Sequence, residues 1–299
     1  MHAVAVAGEN AEQLAALVRQ LALPELAVST ADTQGALAGA DILLGPPDDI
    51  AALLDNAPQL RWVQSSWAGV RPLLDHPRRD YLLTGVRGIF GQAMTEYVLG
   101  WLLALERRIL ERAGQHVWDE RIEAGVRGRR MGILGTGDIG RAVARGCATL
   151  GIEVIGLNTS GRDVAGFSAC YPVTERLGFA AGLDYLLTLL PDTPATGNLV
   201  DAALLGRLAS GSIFINAGRA NSVVDADLLA ALARGPLRAA VLDVTREEPL
   251  PGTHPFWGVE NLYLTSHTAA PTTAAAIVGV FADNYDQFLR GEALANVVD

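Results

Sequence analysis

The stretch MGILGTGDIGRAV, residues 131–143, is the feature that most restricts the fold of this chain. An apolar run leads directly into Gly135, Gly137 and Gly140, which form the pattern G-x-G-x-x-G. A helical pattern follows at once, and a second apolar run, IEVIGLN, follows that helix. A strand, a glycine turn, a helix and a second strand predict the βαβ unit of a dinucleotide-binding sheet.

Each glycine has its own physical task in such a unit. Gly135 permits a tight turn, Gly137 lets the backbone approach a pyrophosphate, and Gly140 lets the helix pack closely on the strand. The free N–H groups and the dipole at the helix N-terminus then favour the pyrophosphate charge. Because the chain has 32 glycines, such a triplet also arises by chance as an ordinary turn, so the flanking strand and helix carry the prediction.

Short apolar runs alternate with helical patterns along the rest of the chain. HAVAVAG, ADILLG and LRWVQSSWAG are typical of strands, AEQLAALVRQLA is typical of a helix, and a long helix is predicted over 92–114, with Gly114 as its stop. A second strand-and-helix series runs from residue 131 to NLYLTSH. The alternation predicts an α/β protein with two doubly wound parallel-sheet domains, Rossmann-like or flavodoxin-like, joined near residue 98.

Charge and composition argue against several classes of protein. The net charge of −10 gives no electrostatic support for binding nucleic acid. The two cysteines, Cys147 and Cys170, form neither a metal-binding cluster nor a disulfide framework, so we expect no metal and a cytoplasmic protein with reduced thiols. The N-terminus lacks a signal-peptide pattern, and YVLGWLLAL is bounded by charged residues, which favours a buried helix over a membrane span.

The second strand of the βαβ unit ends in NTSGR, where a nicotinamide cofactor is usually selected. NAD sites commonly carry Asp or Glu there to hold the ribose 2′-hydroxyl, but this chain has Asn158. Asparagine does not repel a 2′-phosphate, Thr159 and Ser160 supply hydroxyl donors, and Arg162 supplies a guanidinium. The pattern predicts NADP(H) as the preferred cofactor, with NAD(H) possible; a solvated polar loop is the alternative.

Three polar side chains follow strand-like runs in the second series. Arg219 follows SIFINAG, Glu248 follows AAVLDVTRE, and His267 follows NLYLTS. Because ligands of open parallel sheets bind outside the carboxyl ends of the strands, these side chains are predicted to converge. A guanidinium can bind a carboxylate or polarise a carbonyl, and an imidazole paired with a carboxylate can donate a proton. The alternatives are an ion pair of Arg219 with Asp225 or Asp227, a solvated loop carboxylate and an ordinary loop histidine.

Further motifs occur in a single order along nearly the whole chain: WAGV, MTEYVLGWLLAL, GILGTGDIG, LLPDTPATGNLV, INAGRANSVVDADLLAAL, LDVTREEPLP, HPFW and TSHTAA. Together they resemble the D-isomer-specific 2-hydroxyacid dehydrogenases, closest to the glyoxylate/hydroxypyruvate reductase branch. The resemblance implies an enzyme that reduces a small 2-oxo acid to the D-2-hydroxy acid with NAD(P)H. It implies Arg219, Glu248 and His267 as catalytic residues, and the spacing from Arg219 selects Glu248 over Glu247.

The resemblance also implies binding residues. Backbone amides of Ala68 and Gly69, with Arg219, would hold the substrate, and Asp243 would lie near the nicotinamide amide. With the residues named above, the predicted cofactor-binding set is Gly135, Gly137, Asp138, Ile139, Gly140, Asn158, Thr159, Ser160, Arg162, Leu190, Pro191, Ala217, Gly218, Asp243, His267, Ala269 and Ala270.

The same resemblance implies how the chain is divided. The substrate domain would be discontinuous, 1–98 plus 268–299, and the dinucleotide-binding domain would cover 99–267, with a cleft that closes by hinge motion. A homodimer is implied, with the 92–114 helix and the arm after it at the interface. The expected partner is a small 2-oxo or 2-hydroxy acid, with no nucleic acid and no membrane.

Several positions depart from the family pattern or leave alternatives open. Arg71 stands where aspartate is frequent, Thr245 where an aromatic residue is typical, and Ser266 where proline is common. Trp67 fits either the substrate pocket or core packing, and core packing is favoured. Two other functions remain open. One is a dehydrogenase for another small anion such as formate or phosphite; for formate, Glu248 argues against it. The other is a dinucleotide-sensing corepressor that binds protein partners.

Overall fold

The computed structural model describes residues 1–298 and forms two compact units. The first contains Met1–Ile89 and the C-terminal segment that begins at Thr272, and the second contains Phe90–Pro271. The division predicted near residue 98 falls inside a helix of the second unit, and the substrate-domain boundaries remain a prediction. Within residues 1–298, no helix combines the length and the apolar character that crossing a lipid bilayer requires.

The first unit is a five-stranded parallel sheet with helices on its faces. The strand order is β2-β1-β3-β4-β5. The strands are β1 (His2–Val6), β2 (Leu26–Thr30), β3 (Ile42–Gly45), β4 (Trp62–Ser65) and β5 (Leu82–Thr84). The helices that follow them in turn are α1 (Ala11–Gln20), α2 (Gln34–Gly39), α3 (Pro47–Ala51) and α4 (Arg71–Asp75). Every residue of β3 and β4 is buried, as expected for strands covered on both faces.

The second unit is a seven-stranded parallel sheet, also covered on both faces. Its helices are α5 (Gly91–Glu106), α6 (Ile109–Ala113), α7 (Asp138–Thr149), α8 (Arg176–Phe179), α9 (Ala202–Leu205) and α10 (Asp225–Arg234). Its strands are β6 (Arg130–Leu134), β7 (Glu153–Asn158), β8 (Ala169–Pro172), β9 (Tyr185–Thr188), β10 (Ser212–Asn216), β11 (Leu237–Leu242) and β12 (Leu262–Leu264). The strand order is β12-β11-β10-β9-β6-β7-β8. From β6, the strand that leads into the glycine pattern, β7 and β8 are added on one side, and β9 to β12 are added on the other side.

Side chains of the second sheet alternate between two cores. Ile213 and Ile215 of β10 lie in the core that includes α5 and α7, whereas Phe214 lies in the core that includes α9 and α10. This period of two places successive residues on opposite faces of a strand. All five residues of β10 are buried, so the polar Asn216 at its end needs partners within the protein.

The last helix, α11 (Ala274–Arg290), returns to the first unit. Its buried residues Phe281 and Tyr285 join the core that contains Trp62 of β4. The rings of Trp62 and Phe281 stack with their centroids 5.2 Å apart, and Thr273 caps the helix by accepting from the Ala276 amide. The C-terminal segment therefore supplies part of this unit's core.

The structure corrects the prediction of one long helix over 92–114. The helix ends at Glu106, and α6 begins at Ile109 after Arg108, whose φ of 49° is left-handed. Arg108 forms ion pairs with Glu111 at 2.7 Å and Glu123 at 3.8 Å, which stabilise the break. The predicted parallel α/β class is confirmed, and β2, β5 and β8 are strands that the pattern did not single out.

Candidate active site

The carboxyl ends of three neighbouring strands bring together the loops of Arg219, Glu248 and His267. Asn216, the last residue of β10, pairs with Leu242 of β11, which pairs with Leu264 of β12. Since the three strands end side by side, the loops that follow them leave the sheet at the same edge. A cavity of about 410 Å³ lies at this edge, lined in part by Asp243, Glu248 and His267.

His267 and Glu248 form a hydrogen-bonded pair in this cavity. Nδ1 of His267 lies 2.9 Å from Oε2 of Glu248, and the other carboxylate oxygen accepts from the Thr245 amide at 2.9 Å. Because a carboxylate only accepts, the imidazole donates through Nδ1, which leaves Nε2 to interact with a ligand. The side chains are 48% and 39% exposed, so both are accessible to a ligand.

Arg219 begins a loop that is held by the side chain of Asn216. Asn216 accepts from the Gly218 amide at 3.1 Å and donates to the Arg219 carbonyl at 3.4 Å. The half-buried Arg219 donates from Nη1 to the Gly218 carbonyl at 2.9 Å. The alternative of an ion pair with Asp225 or Asp227 is not what the structure shows. Asp225 pairs with Arg246 at 3.6 Å, and Asp227 accepts from a backbone amide.

The buried carboxylate of Asp243 holds the loop that carries His267. Its Oδ1 accepts from the Thr265 hydroxyl at 2.5 Å and from the Thr268 amide at 2.9 Å, and its Oδ2 accepts from the Ala269 amide at 3.0 Å. The Asp243 carbonyl accepts from the His267 amide at 2.8 Å. Asp243 is thus bonded to the Thr265 side chain before His267 and to the backbone amides of 267–269. The φ of 56° at His267 is left-handed.

The glycine loop after β6 has the shape that a pyrophosphate needs. Gly135 has a φ of 105°, and a Cβ on Gly140 would lie 2.1 Å from the Gly135 carbonyl oxygen, so helix and strand touch through backbone. A Cβ on Gly137 would meet nothing within 4 Å, which leaves open space in front of the α7 N-terminus. The first amides of a helix have no intrahelical acceptor, so those of Asp138 and Ile139 are donors available to an anion.

The NTSGR turn after β7 is organised by Asn158. Its Oδ1 accepts from the amides of Ser160 at 3.2 Å and Gly161 at 2.7 Å, and its Nδ2 donates to the Arg162 carbonyl at 2.9 Å. Thr159, Ser160 and Arg162 are exposed at the carboxyl end of β7. Asn158 therefore holds the turn with its side chain, while its neighbours offer donors to solvent.

The remaining predicted cofactor-binding residues fall at two places. Leu190 and Pro191 follow β9, and Ala217 and Gly218 follow β10, where a Cβ on Gly218 would lie 2.7 Å from the Leu190 amide nitrogen. The two loops therefore meet through their backbones. Ala270 is half-buried and follows Thr268 and Ala269, whose amides donate to Asp243.

Ala68 and Gly69 follow β4 in the first unit, and both are exposed. The turn before them is held by Ser65, whose hydroxyl accepts from the Trp67 amide at 3.1 Å and donates to the Trp67 carbonyl at 3.0 Å. The interpretation of Trp67 as core packing is wrong, because the side chain is 49% exposed. Trp67 lies in the turn that the Ser65 hydroxyl stabilises, outside the core.

Residues 99–269 match the family model described as D-isomer specific 2-hydroxyacid dehydrogenase, NAD binding domain. The chain belongs to the D-isomer specific 2-hydroxyacid dehydrogenase family. It is therefore an oxidoreductase with a nicotinamide-dinucleotide-binding domain, as predicted. That domain contains the glycine loop and the three strand-end residues.

Relatives named as reductases and solved structures agree with this membership. A glyoxylate/hydroxypyruvate reductase A of Serratia proteamaculans is 33% identical over 266 residues, which are 85% of this chain and 84% of that protein. A family member from Aeromonas salmonicida is 37% identical with a TM-score of 0.92, over 100% of this chain and 99% of that one. The NADPH-dependent glyoxylate/hydroxypyruvate reductase of Sinorhizobium meliloti, solved with NADP and sulfate, is 30% identical with a TM-score of 0.85, over 100% and 98%.

Several residues that organise this dehydrogenase site were not predicted from the sequence. Asn216 stands inside the quoted INAGR motif, and its position as the polar end of an apolar strand could have singled it out. Thr265, two residues before His267, could have been noticed in the same way. Tyr97, whose hydroxyl lies 2.8 Å from that of Thr265, sits in an apolar helical pattern that gives no local signal.

We expect Gly137→Ala to separate folding from cofactor binding in this dehydrogenase. The added methyl meets no protein atom within 4 Å, so the melting temperature should stay close to the wild-type value. The same methyl would keep a pyrophosphate away from the α7 amides and weaken NADPH binding by at least about tenfold. Thermal unfolding and fluorescence titration with NADPH measure the two effects. Gly140→Ala is the control that should lose both, and wild-type affinity of Gly137→Ala would contradict the expectation.

Proposed function

We propose that this dehydrogenase reduces a small 2-oxo acid of the glyoxylate or hydroxypyruvate type to the corresponding D-2-hydroxy acid, with NADPH as the preferred reductant. The observation that carries the proposal is the His267–Glu248 pair at 2.9 Å, beside the strand end that bears Arg219. The names of the relatives from Serratia proteamaculans and Sinorhizobium meliloti support the substrate class.

Arg219 and His267 have complementary roles in this proposal. The guanidinium of Arg219 binds the substrate carboxylate and polarises the adjacent carbonyl oxygen. The carboxylate of Glu248 accepts from Nδ1 of His267 and fixes the orientation of the ring, so that Nε2 carries the proton to be transferred. The family resemblance implies that backbone amides of Ala68 and Gly69 also hold the substrate carboxylate.

Reduction of the substrate carbonyl requires one hydride and one proton. When bound, reduced nicotinamide would supply the hydride that forms the new C–H bond at the carbonyl carbon. The electron pair of the broken carbonyl π bond moves onto oxygen, and that oxygen takes the proton from Nε2 of His267. The ring is left neutral while Glu248 keeps its negative charge and its hydrogen bond. In the reverse direction the neutral ring accepts the hydroxyl proton.

The proposed NADPH preference rests on the turn after β7. Asn158 brings no negative charge there, and the exposed Thr159, Ser160 and Arg162 offer hydroxyl and guanidinium donors to a 2′-phosphate. The relative from Sinorhizobium meliloti is named as NADPH-dependent and was solved with NADP, which supports the same choice. NAD(H) is the weaker cofactor in this proposal.

The homodimer and the cytoplasmic location stay predictions. The arm after α6 carries Val117, Trp118 and Ile122, which are 79%, 88% and 97% exposed in the single chain. Exposed apolar side chains of this size are typical of an interface, which supports the predicted place of the dimer contact.

The first test of the proposal is the loss of reduced-nicotinamide absorbance with purified protein. NADPH and NADH are assayed separately with glyoxylate, hydroxypyruvate, pyruvate and a bulkier 2-oxo acid. We expect turnover with the small acids and a higher kcat/KM with NADPH. Turnover only with another small anion, such as reduction of NADP by phosphite followed as a gain of the same absorbance, would replace the substrate class. Cofactor binding without turnover of any pair would favour the dinucleotide-sensing alternative.

We expect His267→Ala to lower kcat for reduction by a factor on the order of 10² to 10⁴, the usual contribution of a general acid. Binding of NADPH, measured by fluorescence titration, should stay close to the wild-type value. His76→Ala in the first unit is the matched control and should keep kcat. A variant that loses cofactor binding but keeps a normal residual kcat would refute the assignment of the proton to His267.

We expect Asn158→Asp to shift the cofactor preference toward NADH. The new carboxylate can still accept from the Ser160 and Gly161 amides, although it cannot donate to the Arg162 carbonyl. Two of the three bonds of the turn are therefore kept while a negative charge faces the 2′-phosphate. The ratio of kcat/KM for NADPH over NADH should fall by about tenfold, equivalent to ~1.4 kcal/mol. Asn158→Ala, which loosens the turn without adding charge, should weaken both cofactors alike. An unchanged ratio in Asn158→Asp would assign the preference to Arg162 or another group.

A further inference from the structure

A chain of hydrogen bonds connects α5 with the loop that carries His267. The hydroxyl of Tyr97 lies 2.8 Å from the hydroxyl of Thr265, and the Thr265 hydroxyl lies 2.5 Å from Oδ1 of Asp243. Tyr97 and Thr265 are both part-buried, and all three residues belong to the second unit. None of the roles given above uses Tyr97 or Thr265.

The direction of the two hydroxyl hydrogen bonds follows from the number of protons available. The Asp243 carboxylate only accepts, so the single proton of the Thr265 hydroxyl points to Asp243. The Thr265 oxygen can then only accept from its other neighbour, which makes Tyr97 the donor. Burial raises the pKa of Tyr97 to about 12, so the phenol keeps this proton throughout the neutral range.

The end of this chain is the part of the backbone that fixes His267. Asp243 accepts from the Thr268 and Ala269 amides through its side chain and from the His267 amide through its carbonyl. With a φ of 56°, His267 has a conformation that a residue with a side chain rarely adopts, so the surrounding bonds must maintain it. The Thr265 hydroxyl donates to Oδ1 of Asp243, the same oxygen that accepts from the Thr268 amide, and so helps to fix the carboxylate that anchors these bonds.

We propose that Tyr97 and Thr265 are positioning residues of this dehydrogenase, which act through Asp243 to hold the His267 loop where Nε2 can reach the substrate oxygen. The inference rests on the proposed role of His267 as proton donor. Because the hydrogen bonds run from Tyr97 to Thr265 and from Thr265 to Asp243, the two hydroxyls act in series. Removal of either one therefore affects the same anchor.

Hydroxyl deletions test the inference because they leave the packing nearly unchanged. We expect Tyr97→Phe and Thr265→Val each to lower kcat, Thr265→Val by about tenfold, as a small misplacement of a reacting group does. The KM for NADPH should change less than kcat does, because the α7 amides and the turn after β7 are untouched. Thr265→Ser keeps the hydroxyl donor that Thr265→Val removes, so this variant should retain most of the wild-type kcat.

The double variant and a control make the test specific to the chain. Tyr97→Phe added to Thr265→Val should cause no further loss of kcat, because Thr265→Val already removes the hydroxyl that links Tyr97 to Asp243 by hydrogen bonds. Tyr185→Phe removes another largely buried phenol of the same unit, one that donates to Glu106 at 2.9 Å, and should keep kcat. Additive losses in the double variant, or wild-type kcat in Thr265→Val, would overturn the inference.

A second measurement does not depend on turnover. Hydrogen exchange of the Thr268 and Ala269 amides should become faster in Thr265→Val and return to the wild-type rate in Thr265→Ser, while amides of β9 stay unchanged. Unchanged exchange would contradict the proposed anchor, whatever the substrate is. Faster exchange with an unchanged kcat would also overturn the inference, and His267→Ala would then show whether the proton-donor role fails with it.

Discussion

The parallel pairing of β10, β11 and β12 is the constraint on which the rest of the site depends. Backbone hydrogen bonds continue past the strands, from the Asp243 amide to the Asn216 carbonyl at 2.9 Å and from the Thr265 amide to the Leu242 carbonyl at 3.0 Å. The loops that carry Arg219, Glu248 and His267 therefore start from points fixed by the sheet itself. A slip in this register would move all three loops, because each strand is paired with the next.

Polar side chains at the strand ends fix what the sheet leaves free. Asn216, Asn158 and Asp243 each bond to the backbone of the loop that follows, and Asp243 and Asn216 are almost fully buried. A buried amide or carboxylate is costly unless its partners are present, so these residues favour one loop conformation over the alternatives. The loops thereby gain a fixed geometry before any ligand arrives, so their polar groups need little reorganisation when one binds.

The parts of this structure that could be predicted are those with a local signal. The glycine pattern and the polar residues after apolar runs lie in single stretches of sequence, and the sheet brings those stretches to one edge. Tyr97 and Thr265 are 168 positions apart, and nothing in the apolar pattern around Tyr97 indicates a polar partner. The break at Arg108 was also not predicted, because no glycine or proline marks it and the left-handed φ of Arg108 leaves no signal in the apolar pattern.

The side-chain amide of Asn158 determines both the charge at the end of β7 and the conformation of the turn that follows. The acceptor bonds that hold its turn, from the Ser160 and Gly161 amides, are equally available to an aspartate. The donor bond to the Arg162 carbonyl at 2.9 Å is available only to the amide. Compared with aspartate, asparagine therefore lacks a negative charge and also donates a hydrogen bond that holds the backbone of Arg162. A charged and a neutral residue at this position differ both in their field and in how firmly they hold the neighbouring guanidinium.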